Sequence, residues 1–250
     1  MLGENLVDAL AMEKLTASPR VVDIFGYCGT SLNTEFGGRR LRDVIKAMHK
    51  TQPEKQITPQ DKLRLGIEIA KGLAEVHGHL NIAHNDLHSG NIIFDSQWRP
   101  KLNDFNLAKP LMHDKRTGRM CAKVRDDHAS SVSWRPPEEY LDKANDAFKK
   151  DKPILMWQDK TDVYALGTSL YRLAAEVNPW KGDLSDKKQQ RREFSQMKAA
   201  GTHPAVPKDI LTSKDRDIQK LLAAASACHR FAPLERPTAL EVVTMLEATI

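Results

Sequence analysis

The stretch His84-Asn85-Asp86-Leu87-His88-Ser89-Gly90-Asn91, followed thirteen residues after Asn91 by Asp104-Phe105-Asn106, carries most of what this chain discloses. It supplies two carboxylates and an amide at the spacing a phosphoryl-transfer site needs. Such a site does little covalent work; it positions a hydroxyl and neutralises charge on phosphates. Asp86 suits the acceptor of the hydroxyl proton, and Asn91 and Asp104 suit ligands that hold Mg²⁺ against a nucleotide's phosphates. Ile92-Ile93-Phe94 and the run ending at Asn103 are strand-like, so these groups are expected on a rigid hairpin. His77, His79, His84 and His88 crowd the same region. Their spacing lacks a partner Cys and a helical period, so a zinc site is set aside. His84 reads instead as a packed core histidine.

Outward from that stretch the pattern divides into two unequal parts. Residues 5–16 read as a helix with Asp8, Met12 and Leu15 on one face and Leu6 and Leu10 beside them. Ser18-Pro19 ends it. Residues 21–27 and 31–36 are short strand-like runs, and Gly37-Gly38 is a hinge into a helix over 41–49. Thr58-Pro59-Gln60-Asp61 starts another helix, with a capping hydroxyl, Pro at the first helical position and an acid in the first turn. That helix is expected to bury Leu63, Ile67, Ala70 and Ala74. After Lys109 comes a long polar stretch without period, and from Lys160 onward the pattern is mostly helical. No internal repeat is present.

Composition sets a modest frame. The 250 residues suit one large domain or two closely joined lobes. The formal charge of +5, from 38 basic and 33 acidic residues, is a mild excess on a mixed surface and does not point to nucleic acid. Cys28, Cys121 and Cys228 are few and far apart, as in a reduced cytoplasmic or nuclear protein. No apolar run reaches the length of a membrane span, and Met1-Leu2-Gly3-Glu4-Asn5 has neither the build of a signal peptide nor a myristoylation pattern. A cytoplasmic location is expected, with an upstream targeting segment left open.

At these residues the chain resembles the eukaryotic protein kinases, whose catalytic loop reads H-R-D-L-x-x-x-N and whose metal motif reads D-F-G. His-x-Asp-Leu-His-x-Gly-Asn also occurs in aminoglycoside- and choline-kinase-like enzymes, so later motifs decide. Arg135-Pro136-Pro137-Glu138 resembles the A-P-E that closes the activation segment. Asp162-Val163-Tyr164-Ala165-Leu166-Gly167 is similar to the D-V-W-S-L-G that opens the central helix. Arg236-Pro237-Thr238 matches the late R-P-T. The resemblance implies an α+β, two-lobed fold with a truncated N-lobe (1–36) and a mainly helical C-lobe (37–250). It implies a buried Arg236–Glu138 pair, and a spine in which His84 stacks with Phe105, Met12 and Ile24 above Asp162. It further implies transfer of the γ-phosphoryl of Mg-ATP to a protein substrate. Asp86 would be catalytic and Asn91 and Asp104 metal-binding. Thr34 would be the gatekeeper; Glu35, Phe36 and Gly37 would offer backbone groups to adenine, with Ile93 under the ring.

The first helix aligns with the one that normally offers a glutamate to the ATP-binding lysine, and Asp8 stands at that position. Only seven residues precede Asp8, and no Gly-rich loop or V-A-I-K strand is among them. Weak ATP binding is therefore expected of the chain as it stands. The expected reading is an incomplete domain of an active kinase, and the alternative is a pseudokinase acting as a binding scaffold. Asn85 replaces the Arg that grips an activation-loop phosphate, so less dependence on such phosphorylation is expected. Asn106 replaces the Gly of D-F-G, a site that favours a residue tolerant of φ > 0. Ser131 and Trp134 pull towards Ser/Thr and tyrosine-kinase-like types respectively, while His88 fits neither pattern. A Ser/Thr kinase of the tyrosine-kinase-like group is the resulting expectation.

Overall fold

The computed structural model describes residues 2–16, 18–29, 31–50, 57–118, 120–124, 132–140, 155–180 and 187–248. Helix α1 (Leu2–Lys14) leads into an antiparallel ribbon of β1 (Ile24–Cys28) and β2 (Ser31–Thr34). Helices α2 (Leu41–Lys50) and α3 (Pro59–His79) follow, then β3 (Ile82–Ala83), β4 (Ile92–Phe94), β5 (Pro100–Leu102) and β6 (Lys109–Pro110). β4 pairs with β5 and β3 with β6, both antiparallel. β7 (Lys123–Val124) pairs with β8 (Leu155–Met156) ahead of the helical body. That body is α4 (Gln158–Ala175), α5 (Lys187–Ala199), α6 (Lys208–Leu211), α7 (Arg216–Cys228) and α8 (Ala239–Glu247).

The central packing is α3 against α4, α7 and α8, with α4 lying along α7. Gly66 permits a close approach: a Cβ there would meet Leu221 Cδ2 at 2.8 Å and Leu170 Cδ2 at 3.0 Å. The buried face of α3 is Leu63, Gly66, Ile69, Ala70, Gly72, Leu73 and Val76. Ile67 and Ala74, expected inside, are only half-buried, because the glycines turn the contact stripe towards Ile69 and Leu73. On α1 the expected face of Asp8, Met12 and Leu15 is buried, whereas Leu6 and Leu10 are 49% and 44% exposed.

Sequence-visible caps set the helix starts. Thr58 Oγ1 accepts from Asp61 N at 3.1 Å, with Pro59 opening α3. Thr238 and Glu241 form a reciprocal capping box at α8. The N-terminal part is fastened to the body. Val22 N donates to Leu102 O at 3.0 Å, and Leu102 N donates to Arg20 O at 2.8 Å. Arg20 also pairs with Glu68 and Glu75 of α3, at 2.9 and 2.6 Å.

Candidate active site

The loop from His84 to Asn91 hangs on one buried carboxylate. Asp162, near the start of α4 and 1% exposed, accepts from His84 N at 2.7 Å and from Asn85 N at 2.8 Å. Its Oδ2 also lies 2.9 Å from His77 Nε2. Asn85 sits at φ 61°, in the left-handed region that Asn tolerates better than most residues, and its amide donates to Leu107 O at 3.2 Å. His84 Nε2 faces the carbonyl of Asn103 at 3.1 Å, so Nε2 carries the hydrogen and Nδ1 accepts from Asp86 N. The His84 ring lies 4.7 Å from that of Phe105, which is fully buried. Met12 belongs to the same core, and Ile24 packs against it.

Asn91 and Asp104 meet at the base of the β4–β5 hairpin, whose ladder is extended by Asn103 N donating to Asn91 O at 2.9 Å. The Asn91 amide donates to the backbone oxygen of Asp86 at 3.0 Å and to its Oδ2 at 3.3 Å. The other carboxylate oxygen of Asp86, Oδ1, is buried with no hydrogen-bond partner among the described residues. Burial pushes the Asp86 carboxyl above the usual range, opposed by the neighbouring His88, His84 and Arg135. His88 accepts on Nδ1 from Gly90 N at 2.9 Å and Asn91 N at 3.2 Å, which leaves Nε2 as its donor, 3.7 Å from Asp86 Oδ2. Trp134 packs beside this loop, 6.2 Å from the His88 ring and 5.7 Å from the Arg172 guanidinium, which in turn donates to Ser89 Oγ.

A cleft of about 410 Å³ brings together Thr34, Glu35, Gly37, Ile93, Asn91 and Asp104. Ile93 lies directly over Gly37, where a Cβ would come within 2.4 Å of its Cδ1. Gly38 N donates to Phe94 O at 2.9 Å, an approach that leaves no room for a side chain. Phe36 does not join the cleft lining; its side chain is 89% exposed. The expectation that only the backbone of Glu35 matters is also revised. Its N–H is committed to Asp23 O at 2.9 Å, and its side chain accepts from Asp23 N at 2.8 Å and from Lys101 Nζ. Glu35 is thus a strut between the ribbon and β5.

The metal motif holds one contact the alignment did not name and one changed expectation. Asp8 Oδ1 accepts from Phe105 N at 2.6 Å. Burial raises its pKa despite that bond, with Asp104 adding to the rise. The left-handed residue of the motif is Asp104, at φ 67°, and Asn106 is not among the residues with positive φ. Arg40 and Arg42 line the mouth of the cleft with His88 and Gly90, and none of these was picked out from sequence as lining it. Their signal was position, directly after the Gly37-Gly38 hinge; Arg42 N donates to Ser89 O at 2.9 Å and ties α2 to the loop.

Behind the loop, Arg236 and Glu138 form the expected bidentate pair, at 2.7 and 2.6 Å, almost wholly buried. Ser131 lies outside the described residues. No helix among the described residues is long and apolar enough to cross a membrane.

Comparison with known proteins places the chain in a family. The chain is 28% identical over 213 residues to the Arabidopsis thaliana receptor-like protein kinase HAIKU2, covering 80% of this chain and 19% of that protein. It is 26% identical to the Arabidopsis thaliana serine/threonine-protein kinase CTR1, covering 74% of this chain and 20% of that protein. A human relative, lymphokine-activated killer T-cell-originated protein kinase, is 24% identical over 99% of this chain and 76% of its own length. The chain thus spans about a fifth of the plant relatives and most of the human one. The model of the protein kinase domain matches residues 8–246. On that match, which takes in Asp8, the Asp86 loop, Asp104, Glu138 and Arg236, the chain belongs to the protein kinase domain family.

Proposed function

We propose that this chain transfers the γ-phosphoryl of Mg-ATP to a serine or threonine hydroxyl of a protein. One observation carries the proposal. Asp86 keeps a buried carboxylate oxygen without a partner while Asn91 holds the other, beside a cleft that Asn91 and Asp104 line.

In this reading Asp86 Oδ1 accepts a hydrogen bond from the incoming hydroxyl, orients its oxygen and takes its proton as the new oxygen–phosphorus bond forms and the bond from the γ-phosphorus to the bridging oxygen breaks, releasing ADP. The raised pKa of Asp86 makes its carboxylate a stronger acceptor for that proton. The residues fit a magnesium-bound nucleotide: Asp104 and Asn91 offer hard oxygen donors in one cleft, as Mg²⁺ prefers. When bound, Mg-ATP supplies the electrophilic phosphoryl group and much of the charge neutralisation. The Glu35 carbonyl and Gly37 N–H would meet the base beside Thr34 and over Ile93, with Phe36 contributing backbone alone. Arg40 and Arg42 place positive charge at the cleft mouth. Residues 1–36 and 37–250 correspond to the smaller and larger lobes around this cleft.

The names of the relatives support protein hydroxyls over small alcohols as acceptors, and Ser/Thr over Tyr. A pseudokinase scaffold is the less favoured reading, since the base and both metal-binding side chains are present. The test is transfer of labelled phosphate from γ-labelled ATP to a protein acceptor such as casein, comparing the chain with Asp86→Asn. The variant is expected to lose about 10²–10⁴-fold in rate with ATP affinity unchanged. Equal rates in the two proteins would overturn the assignment.

A further inference from the structure

At the C-terminal end of α3 lies a second cavity, of about 610 Å³. Its walls are the end of α3, residues Leu111, His113 and Met120, and the start of α8, and its size lies within the range of small-molecule sites. Ala74, Leu111, Met120, Leu240 and Val243 make most of it apolar. Asp159 interrupts that surface. It is 6% exposed, and its Oδ1 is buried with no hydrogen-bond partner among the described residues. Its Oδ2 faces Lys160 Nζ only at 3.7 Å, because that ammonium donates instead to the carbonyls of Arg236 and Pro237. The other charges of the wall are engaged elsewhere, Lys71 with Glu247 at 2.7 Å and Glu75 with Arg20 at 2.6 Å.

We infer that this cavity is a binding site for a small organic cation, an apolar body carrying a protonated amine that reaches Asp159. A buried carboxylate whose one nearby ammonium is shared with two carbonyls is costly, and burial accordingly pushes the Asp159 carboxyl up, against the pull of Lys160 and His77. A ligand ammonium supplies the donor that Oδ1 lacks and a closer charge, while its apolar body covers Leu240, which is 66% exposed. The site also has a route to the catalytic loop. His77 lines the cavity, and its Nε2 contacts Asp162 Oδ2, the same oxygen that holds His84 N. A ligand touching His77 therefore acts two hydrogen bonds away, through Asp162, from the backbone that carries Asp86.

The test is a ¹H–¹⁵N NMR titration of the full chain with 4-phenylbutylamine and, as the uncharged match, 4-phenylbutan-1-ol. The amine is expected to saturate, moving the amides of Gly78, Leu111 and Leu240, with those of His84 and Asn85 following. Asp159→Asn should weaken the amine about tenfold or more and leave the alcohol unchanged. Leu240→Asn, at an exposed position that folding tolerates, should weaken both probes severalfold. Absence of saturation, shifts centred on the Thr34–Asp104 cleft, equal affinity for amine and alcohol, or an unchanged affinity of both probes for Leu240→Asn would each overturn the site. Only the consequence for catalysis rests on the phosphoryl-transfer reading. The titration needs no turnover, so the site would survive the failure of that reading.

Discussion

His88 shows how a single ring can organise a loop. Its Nδ1 gathers the N–H groups of Gly90 and Asn91, and its Nε2 hydrogen faces Asp86. Burial lowers the pKa of the ring, which fits an Nδ1 already committed as an acceptor. His88→Ala should leave Gly90 N without its acceptor, while Asn91 N keeps the His88 carbonyl at 2.9 Å, and should cost about 1–3 kcal/mol and lower turnover. His88→Asn, whose Oδ1 can take the place of Nδ1, should recover most of the stability. Thermal melts and initial rates on the two variants would separate the roles, and equal behaviour of the two would refute the clasp. Asn85 makes a second residue-scale case. It occupies a left-handed position and is bonded to Leu107 O, so it offers no cation to an activation-loop phosphate. Thr117, whose hydroxyl contacts Asp114 Oδ1 at 3.0 Å, is the phosphomimetic site nearest at hand. Thr117→Glu is expected to change the transfer rate by less than about twofold, since no new Arg–phosphate bond can form with Asn85. A tenfold rise would show that another receptor exists.

Among the elements, the short segment 132–140 depends most on partners remote in sequence. Glu138 is held by both guanidinium nitrogens of Arg236, whose own side chain also donates to the carbonyls of Arg230, Phe231 and Lys160. Lys198 of α5 supports the same segment. Its fully buried ammonium donates to Arg135 O and Ser133 O and lies 4.9 Å from the ring centres of both Tyr164 and Trp180. Burial lowers the pKa of that lysine strongly, and Glu139 and Glu138 act against the shift. Glu138→Gln should strand the Arg236 charge and cost about 3–5 kcal/mol, read as a fall in urea midpoint. A loss under about 1 kcal/mol would show that the junction is held by the rest of the network. The pair was legible in sequence because two motifs named both partners; the Lys198 cage was not, because nothing local marks a lysine that will meet the rings of Tyr164 and Trp180.

For the whole molecule, the pH response is set by groups that folding has buried. His229 is pushed down to about 3, first by burial and then by the nearby Lys198 and Arg236 charges, while Thr168 hydrogen-bonds its Nε2 at 3.1 Å. Its folded pKa lies below its unfolded value of about 6.5, so between those values the unfolded chain binds the extra proton. Stability therefore falls as pH drops through this window. Asp8, Asp86 and Asp159 have raised values and contribute in the opposite sense. The difference between the native chain and His229→Gln isolates the histidine. Relative to its value near pH 7, that difference should move by about 2–3 kcal/mol in favour of the variant near pH 4.5. Parallel pH curves for the two proteins would contradict the assignment.

How far the site was legible can be judged residue by residue. Asp86, Asn91, Asp104, Glu138 and Arg236 were readable because each belongs to a short pattern whose chemistry demands that residue type at that spacing. The helix starts were readable for the same reason, since caps such as Thr58 and Thr238 act within one turn. Asp8, Glu35 and Asn106 were assigned by alignment to a pattern, and there the structure adds contacts at the first two and moves the left-handed position at the third. Asp8 bonds a backbone N–H almost a hundred residues away, Glu35 joins Asp23 to Lys101, and the left-handed turn falls on Asp104. The sequence by itself determined the reaction class, the acid and amide side chains that would serve it and the largely helical body. Only the tertiary structure decided which carboxylate oxygen stays unpartnered, which arginines reach the cleft and which buried acid faces the second cavity. Those outcomes depend on burial and on contacts between distant segments, which no local pattern encodes.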